Sequence, residues 1–354
     1  MNMASKSRRV VRLGLLCVIA VYFLILVGGT VRATGAGMGC PDWPMCFGQL
    51  IPPTHESQLP VNWREIYANR GYDTMPFDAV KTWIEYTNRL VGVTIGLLIM
   101  AFVAATSRLR SVDPVVFRVA VLALVAVAFN GWLGSKVVSS NLKPVMISLH
   151  MLGAFVVQMA LIYAVTRAMR NRFLVDTVLP NWMRHWLLFT MAALVIQIVM
   201  GLQIRESVDW ISRSANEAAR HEWIELVPQI FYVHRSFSWV VLLLAVIFIV
   251  KVFKNPLRHT VIGKMSITLV GLIGFEMVLG GALNHLGFPA VAQPVHLLTA
   301  HLIFGVLWFQ WCLLSVARDF RNLPADHPAK PQPFAGAVSS SPLSDSSSNR
   351  NSYV

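Results

Sequence analysis

Eight long apolar runs constrain this chain more than any other feature of its sequence. The hydrocarbon core of a bilayer is about 30 Å thick, so an α-helix needs about 20 apolar residues to cross it. The composition agrees, because 55% of the 354 residues are hydrophobic and only 13% are charged. We therefore predict an all-α integral membrane protein with eight transmembrane helices. The predicted spans are 12–31, 82–106, 116–136, 144–166, 185–204, 228–250, 263–283 and 294–316.

The basic residues are distributed unevenly among the segments outside these spans. The formal charge is +13, which by itself would suit a nucleic-acid ligand. Most of the 30 lysines and arginines, however, fall at the N-terminus, in every second connection and in the C-terminal tail. Cytoplasmic connections of membrane proteins are enriched in Lys and Arg. Both termini are therefore predicted to face the cytoplasm, and nucleic acid is not an expected partner.

The first span follows a basic start, as the apolar stretch of a secretory signal peptide also does. It is longer than such a stretch, and Gly28–Arg32 continues it without a small-x-small cleavage site. We therefore predict a retained helix. No Arg/Ser-rich transit segment precedes it, which favours a bacterial inner membrane over that of an organelle.

An offset of 146 residues relates spans 2–4 to spans 6–8 without a gap. Spans 1 and 5 match more loosely, at an offset of 173, with Val31-Arg32 resembling Ile204-Arg205. Four spans per unit is an even number, so both units have the same orientation, as in a parallel repeat. The matched pairs are Tyr86 and Tyr232, Arg89 and Arg235, Phe129 and Phe275, Leu133 and Leu279, Gly134 and Gly280, His150 and His296, and Ala154 and Ala300.

This repeat predicts two four-helix bundles. The N-terminal half covers residues 1–167 and includes a long outer loop, 33–80, whose extra length carries Cys40 and Cys46. The C-terminal half covers residues 168–316. The remaining segment, 317–354, is rich in Pro and Ser and is predicted to be a disordered cytoplasmic tail.

Three of the ten histidines lie at a similar depth within the repeat, near the outer ends of their spans: His150, His234 and His296. Two neutral imidazoles on facing helices of a bundle can ligate a haem iron from both sides. We therefore predict haem b between His234 and His296. The alternative is that each histidine forms a hydrogen bond to a neighbouring helix.

The first half departs from this pattern at one ligand position, because Asn88 occupies the place of His234. An amide is a poor iron ligand, so His150 would be the one imidazole available in this half. Such a site suits a substrate haem that must enter and leave. The alternative is that this half has lost haem binding.

A second departure places Glu85 where the other half has Phe231. Glu85 lies four residues before Arg89 and on the same helix face, so an ion pair between them is one interpretation. The other is a carboxylate that faces a reactive haem and takes a proton or stabilises a developing cation. Arg89 and Arg235 could pair with haem propionates or extend to the membrane interface.

Other polar residues within the spans have open interpretations. Glu276 could relay protons, lie beside a propionate or be a hydrogen-bonded structural residue, and His301 is interpreted as structural. Cys17 and Cys312 are predicted to be buried core thiols. The two loop cysteines could close a small ring, whereas a zinc site would need a second ligand pair.

Several motifs, taken together and in order, resemble the haem A synthase family over residues 10–316. The resemblance implies an oxidoreductase that converts the C8 methyl group of haem O to the formyl group of haem A. It also implies oxygen derived from water and an external electron acceptor. The motifs are Gly28–Arg32, Gly39–Cys46, Glu85-Tyr86-x-x-Arg89, His150, His234-Arg235 and His296.

The same resemblance implies roles for individual residues. The C-terminal half would hold haem b and the N-terminal half would receive haem O. Glu85, with Asn88 and Arg89, would belong to the catalytic group, and Cys40 would form a disulfide with Cys46. The family has Glu-x-x-His-Arg in the second span, whereas this chain has Asn88. We therefore expect His150 to ligate the substrate iron, with Asn88 near the other face.

Two other functions are compatible with the duplication: a b-type cytochrome that carries electrons and a haem-binding protein that transfers haem without chemistry. Glu85 and the long cysteine loop favour the enzyme. Expected partners are haem O, membrane lipid, haem O synthase, cytochrome oxidase assembly factors and an electron acceptor that the sequence does not identify. A homo-oligomer is compatible with the sequence.

Overall fold

The computed structural model describes residues 3–170, 180–214 and 223–321, and the part described is built from helices. Eight helices are long and apolar enough to cross a membrane, which confirms the predicted fold class. In chain order they are α1 (Met3–Ala33), α2 (Ala79–Thr106), α3 (Pro114–Ser139), α4 (Pro144–Ala168), α5 (Asn181–Ser214), α6 (Ile230–Phe253), α7 (Val261–His285) and α8 (Ala292–Arg321). Two four-residue helices, Trp63–Ile66 and Trp223–Leu226, lie in the connections.

Local sequence signals fix where several helices begin. The side chain of Asp78 caps α2 by accepting a hydrogen bond from the backbone N–H of Lys81, at 3.0 Å. Asp113 and Thr260 cap α3 and α7 in the same way. Proline occupies the first turn of α3 and α4, where its missing N–H is not needed. These caps set the depth of the polar residues that follow in each helix.

The helices of each half pack in a ring. In the first half α1 contacts α2 and α4, while α3 packs against α2 and α4. In the second half α5 contacts α6 and α8, while α7 packs against α6 and α8. The halves meet where α8 packs against α1 and α4. Each ring has its own apolar core, and many large apolar side chains on the outer faces are exposed, as expected for surfaces in lipid.

The contact between α4 and α8 joins positions that the 146-residue offset relates. The ring of Phe155 stacks on that of His301, its repeat counterpart, with centroids 3.9 Å apart. Phe155 also contacts Phe304, and His301 Nδ1 lies 3.1 Å from Gln158 Oε1. The same offset relates Gln158 to Phe304, so these two contacts are equivalent under the repeat. Reciprocal contacts are expected around a two-fold axis. They support the parallel repeat, which remains a prediction, as do the two domain boundaries.

The outer loop between α1 and α2 has a small core of its own. Cys40 and Cys46 form a disulfide, as the family resemblance implies, so neither sulfur is a free thiolate for zinc. Phe47 packs edge to face against four rings of the loop: Trp63, Tyr67, Tyr72 and Phe77. We use "outer end" for the end of the molecule that carries this loop. The predicted tail lies outside the described residues from 322 onward.

Candidate functional site

A cavity of about 2210 Å³ lies at the outer end of the first half. Residues of α1 to α4, the cysteine loop, α5 and α8 line it. Its volume exceeds the roughly 300–1,000 Å³ of an ordinary small-molecule site. Among the lining residues are Glu85, Asn88, Arg89 and His150. The structure therefore brings together the four residues that the sequence predicted for this half.

His150 lies in the second turn of α4 and is held by a single backbone group. Its Nδ1 is 2.9 Å from the carbonyl oxygen of Asn130 on α3, so Nδ1 carries the proton and donates. The other ring nitrogen, Nε2, keeps its lone pair. Gly134 lets α3 approach, because a Cβ there would lie 3.2 Å from the His150 ring. Metal-binding histidines are commonly held in this way, with one ring nitrogen hydrogen-bonded to the protein and the other left for the metal.

Asn88 lines the same cavity, and its amide oxygen is not satisfied. Oδ1 is buried and has no hydrogen-bond partner among the described residues. Gly28 on α1 faces it, since a Cβ at Gly28 would lie 3.8 Å from that oxygen. A buried acceptor without a partner costs about 1–3 kcal/mol. Such an atom in a cavity wall suits a bound ligand or water that supplies the missing donor.

Glu85 and Arg89 form the ion pair that one interpretation of the sequence predicts. Arg89 Nη2 lies 2.5 Å from Glu85 Oε1, and Glu85 Oε2 accepts a hydrogen bond of 2.8 Å from the backbone N–H of Cys40. Arg89 also donates to the carbonyl oxygens of Cys40, Asp42 and Met45. Both nitrogens at the end of the guanidinium are thus committed to the disulfide loop. Pairing of Arg89 with a propionate would require these contacts to break.

Other polar contacts stabilise the loop above the cavity. The carboxylate of Asp42 accepts hydrogen bonds from the backbone N–H groups of Phe47 and Gly48, at 2.7 and 2.8 Å. The hydroxyl of Tyr67 donates to the same carboxylate at 3.5 Å. Burial, followed by the negative charge of Asp42, raises the pKa of Tyr67 to about 12. Tyr67 therefore stays protonated as a donor at neutral pH.

In the second half, His234 on α6 faces His296 on α8. Their ring centroids are 6.5 Å apart. Two metal–nitrogen bonds of about 2 Å, plus about 1 Å from each nitrogen to its ring centre, give a separation of about 6 Å. The spacing therefore fits one metal ion held between the two rings. The structure thus brings together the two histidines that the sequence predicted as haem ligands.

Each of these rings has a polar group close to its Nδ1 atom. His234 Nδ1 lies 3.0 Å from the carbonyl oxygen of Gln197 on α5, and His296 Nδ1 lies 3.2 Å from Glu276 Oε1 on α7. The remaining nitrogen of each ring is left for a metal. Glu276 therefore lies beside His296 rather than standing alone within the helix. Arg235 is exposed and lies over the ring of Tyr232, 5.4 Å from its centre.

Sequence reasoning missed one group of the cavity wall. Arg32 Nε and Nη2 lie 2.9 and 2.6 Å from Asp209 Oδ2, and Arg205 Nη1 lies 2.6 Å from Asp209 Oδ1. The two arginines were matched in the repeat, but Asp209 lies beyond the predicted end of its span. The signal that could have found it is the four-residue spacing from Arg205 on a continued helix.

The comparisons with known proteins agree with this geometry. The family model described as COX15-CtaA, cytochrome oxidase assembly protein, matches residues 11–308. The chain belongs to this family. Membership in COX15-CtaA confirms the resemblance on which the residue roles were predicted, although it assigns no role to any one residue.

Two proteins with similar sequences carry the name haem A synthase. That of Brucella suis is 24% identical over 338 residues, which cover 86% of this chain and 90% of the relative. That of Shewanella oneidensis is 26% identical over 179 residues, which cover 50% of this chain and 51% of the relative. The second match thus spans about half the length of each protein.

Proposed function

We propose that this chain is a haem A synthase, an oxidoreductase that converts haem O to haem A. The observation that carries the proposal is the cavity of the first half, which places His150, Asn88 and Glu85 around one space. The paired histidines of the second half supply a separate haem site. The names of the COX15-CtaA relatives support the same activity.

The reaction oxidises one methyl carbon of the substrate to the level of an aldehyde. Conversion of the C8 methyl group to a formyl group consumes one water molecule and releases four electrons and four protons. The oxygen comes from water and the electrons leave to an external acceptor. A site for this chemistry must hold the macrocycle, admit water beside one edge and accept protons.

His150 binds the substrate iron through Nε2, because Nδ1 is committed to the carbonyl oxygen of Asn130. Asn88 lies near the opposite face and offers its unpartnered amide oxygen to a water molecule rather than a second strong ligand. A haem held by one imidazole exchanges more readily than one held by two. Substrate can therefore enter and product can leave.

Glu85 supplies the carboxylate of the cavity wall. It is 4% exposed, and its two oxygens are oriented by Arg89 and by the backbone of Cys40. A negative charge fixed in a low-dielectric wall stabilises positive charge that develops on the substrate. Glu85 and Arg89 thus join the reacting space to the cysteine loop that covers it.

His234 and His296 hold haem b as the resident cofactor. Bound between these two residues, haem b would supply electron transfer between the substrate site and the external acceptor. The carbonyl oxygen of Gln197 orients the His234 ring, and Glu276 lies beside the His296 ring. Arg235, exposed at the same end of α6, is the cation assigned to a haem b propionate.

The proposal extends to the position of the chain in the cell. The structure is that of a multi-pass membrane protein, and the distribution of basic residues predicts cytoplasmic termini in a bacterial inner membrane. The cavity then opens near the outer face of that membrane. Haem O synthase and cytochrome oxidase assembly factors are the expected protein partners.

One observation favours a second function, the transfer of haem without chemistry. Glu85 is already bound by Arg89 and by the backbone of Cys40. Holding the cysteine loop in place would be a sufficient role for this carboxylate. A transfer protein would hold haem O in the first half and release it unchanged. An electron carrier would instead hold haem b permanently in both halves.

Pigment extraction distinguishes these functions. The chain is expressed with haem O synthase in cells that lack their own haem A synthase, purified, and its extracted haems are separated chromatographically. The synthase yields haem B together with haem O and haem A. Haem O without haem A would indicate the transfer protein, and haem B alone would indicate the electron carrier.

A further inference from the structure

Two arginines and one aspartate meet at the wall of the first-half cavity. Arg32, Arg205 and Asp209 all line it. One carboxylate is shared by two guanidinium groups, and Arg205 also donates to the carbonyl oxygen of Arg32 at 3.2 Å. The side chains of this group are only about one fifth exposed, at 19% for Arg32 and 24% for Asp209.

One end of the Arg32 guanidinium meets no oxygen atom of the described residues. Nε and Nη2 are bound to Asp209, whereas Nη1 lies 3.7 Å from the sulfur of Met151. A thioether is a weak acceptor. Met151 directly follows His150 on α4, so this end of Arg32 lies beside the helix that carries the iron ligand.

The other cations of the cavity wall are committed or exposed. Arg89 binds Glu85 and the cysteine loop. Arg70 donates to the carbonyl oxygen of Ser139 and to Asn141 at the end of α3. The exposed amino group of Lys81 lies 3.9 Å from Asp78, and Lys143 is exposed at the start of α4. Exposed charges contribute little to binding because solvent screens them.

We propose that Arg32, held by Asp209 and Arg205, binds a propionate carboxylate of the haem that His150 ligates. The inference rests on the proposed function, because it takes a haem as the ligand of this cavity. A guanidinium donates to a carboxylate in a fixed plane. Because Asp209 already restrains the side chain, little rotational freedom is lost on binding. The open end of the Arg32 guanidinium then meets the anionic edge of the ligand.

The test compares two probes that differ in the carboxylates alone. Purified full-length protein is titrated with haemin and with haemin dimethyl ester, and binding is followed by the absorbance change that His150→Ala abolishes. Wild-type protein should bind haemin about tenfold more tightly than the ester, as expected for a charge-assisted hydrogen bond. Arg32→Gln should weaken haemin binding and leave ester binding unchanged, so that the ratio falls towards one.

Lys143→Gln is the matched control, since it removes another cation from the same cavity wall and should keep the tenfold ratio. An unchanged ratio in Arg32→Gln, or its loss in Lys143→Gln alone, would overturn the inference and leave the proposed function standing. Equal affinities for the two probes in the wild-type protein would overturn it without any variant. Absence of His150-dependent binding of either probe would overturn both.

Discussion

At the scale of single residues, Asn88 marks the difference between the two halves. Its repeat counterpart His234 faces Gly201 on α5 as Asn88 faces Gly28 on α1, and these two glycines are themselves related by the 173-residue offset. The glycine that makes room for His234 thus has a counterpart beside Asn88, although the histidine itself is replaced. A histidine introduced at position 88 is therefore a direct test of this difference.

Asn88→His should convert the substrate site to two-imidazole ligation. A second imidazole opposite His150 makes the iron six-coordinate and low-spin, and the haem should be retained through purification. Absorption and electron paramagnetic resonance spectra of protein loaded with haem O measure the change. Asn88→Leu, which offers no ligand, is the control. Identical high-spin spectra for both variants would show that position 88 does not face the iron.

Glu85→Gln should lower haem A formation by at least tenfold while haem b content is kept. The substitution keeps an oxygen for the N–H of Cys40 but removes the charge that Arg89 neutralises and that the reaction uses. Removing one partner of a buried pair is strongly unfavourable. The measurement is the ratio of haem A to haem B in extracts. Lys81→Gln, on the exposed start of the same helix, is the control and should keep the wild-type ratio.

The sequence pointed to the histidines of both candidate sites, but not to the backbone groups that hold their rings. His150, His234 and His296 stand out because an imidazole is rare within a membrane span. Gln197 acts on His234 through its backbone carbonyl, which every residue has. No residue type marks such a support, so only the packing of α5 against α6 identifies it.

At the scale of elements, α5 shows where hydropathy fails as a guide. The predicted span ends at residue 204, yet the helix continues to Ser214. Val208 and Ile211 of this extension pack with Trp223 and Phe231, and the ion pair of Arg205 with Asp209 lies along it. A hydropathy window detects the membrane crossing and not the amphipathic turns beyond it. The missed cavity group belongs to these turns.

Helix packing around the second haem site gives a prediction at this scale. Gly201→Val should reduce haem b content, because a Cβ at this position would lie only 3.2 Å from the His234 ring and would displace that ligand. Gly271→Val on α7 is the control, since a Cβ there meets nothing within 4 Å. The haem-to-protein ratio from pyridine haemochrome spectra tests this. Equal ratios in the two variants would contradict the close approach of α5.

At the scale of the whole molecule, the predicted repeat relates positions within the two halves but does not describe how the halves join. The apolar runs predicted the eight spans, and the repeat predicted that His234 and His296 lie at matched depth on facing helices. The joint between the halves was not predictable, because it depends on residues such as Gln158 and His301 that bond across α4 and α8. The two halves thus differ at positions 85 and 88, where the 146-residue offset places Phe231 and His234.

The central claim is that the first half holds the substrate and the second half holds the cofactor. Haem extraction from His150→Ala and His296→Ala, each co-expressed with haem O synthase, tests it most directly. We predict that His150→Ala retains haem B but lacks haem O and haem A, whereas His296→Ala loses haem B. Haem A in undiminished amount from His150→Ala, or loss of haem B from that variant alone, would contradict the account.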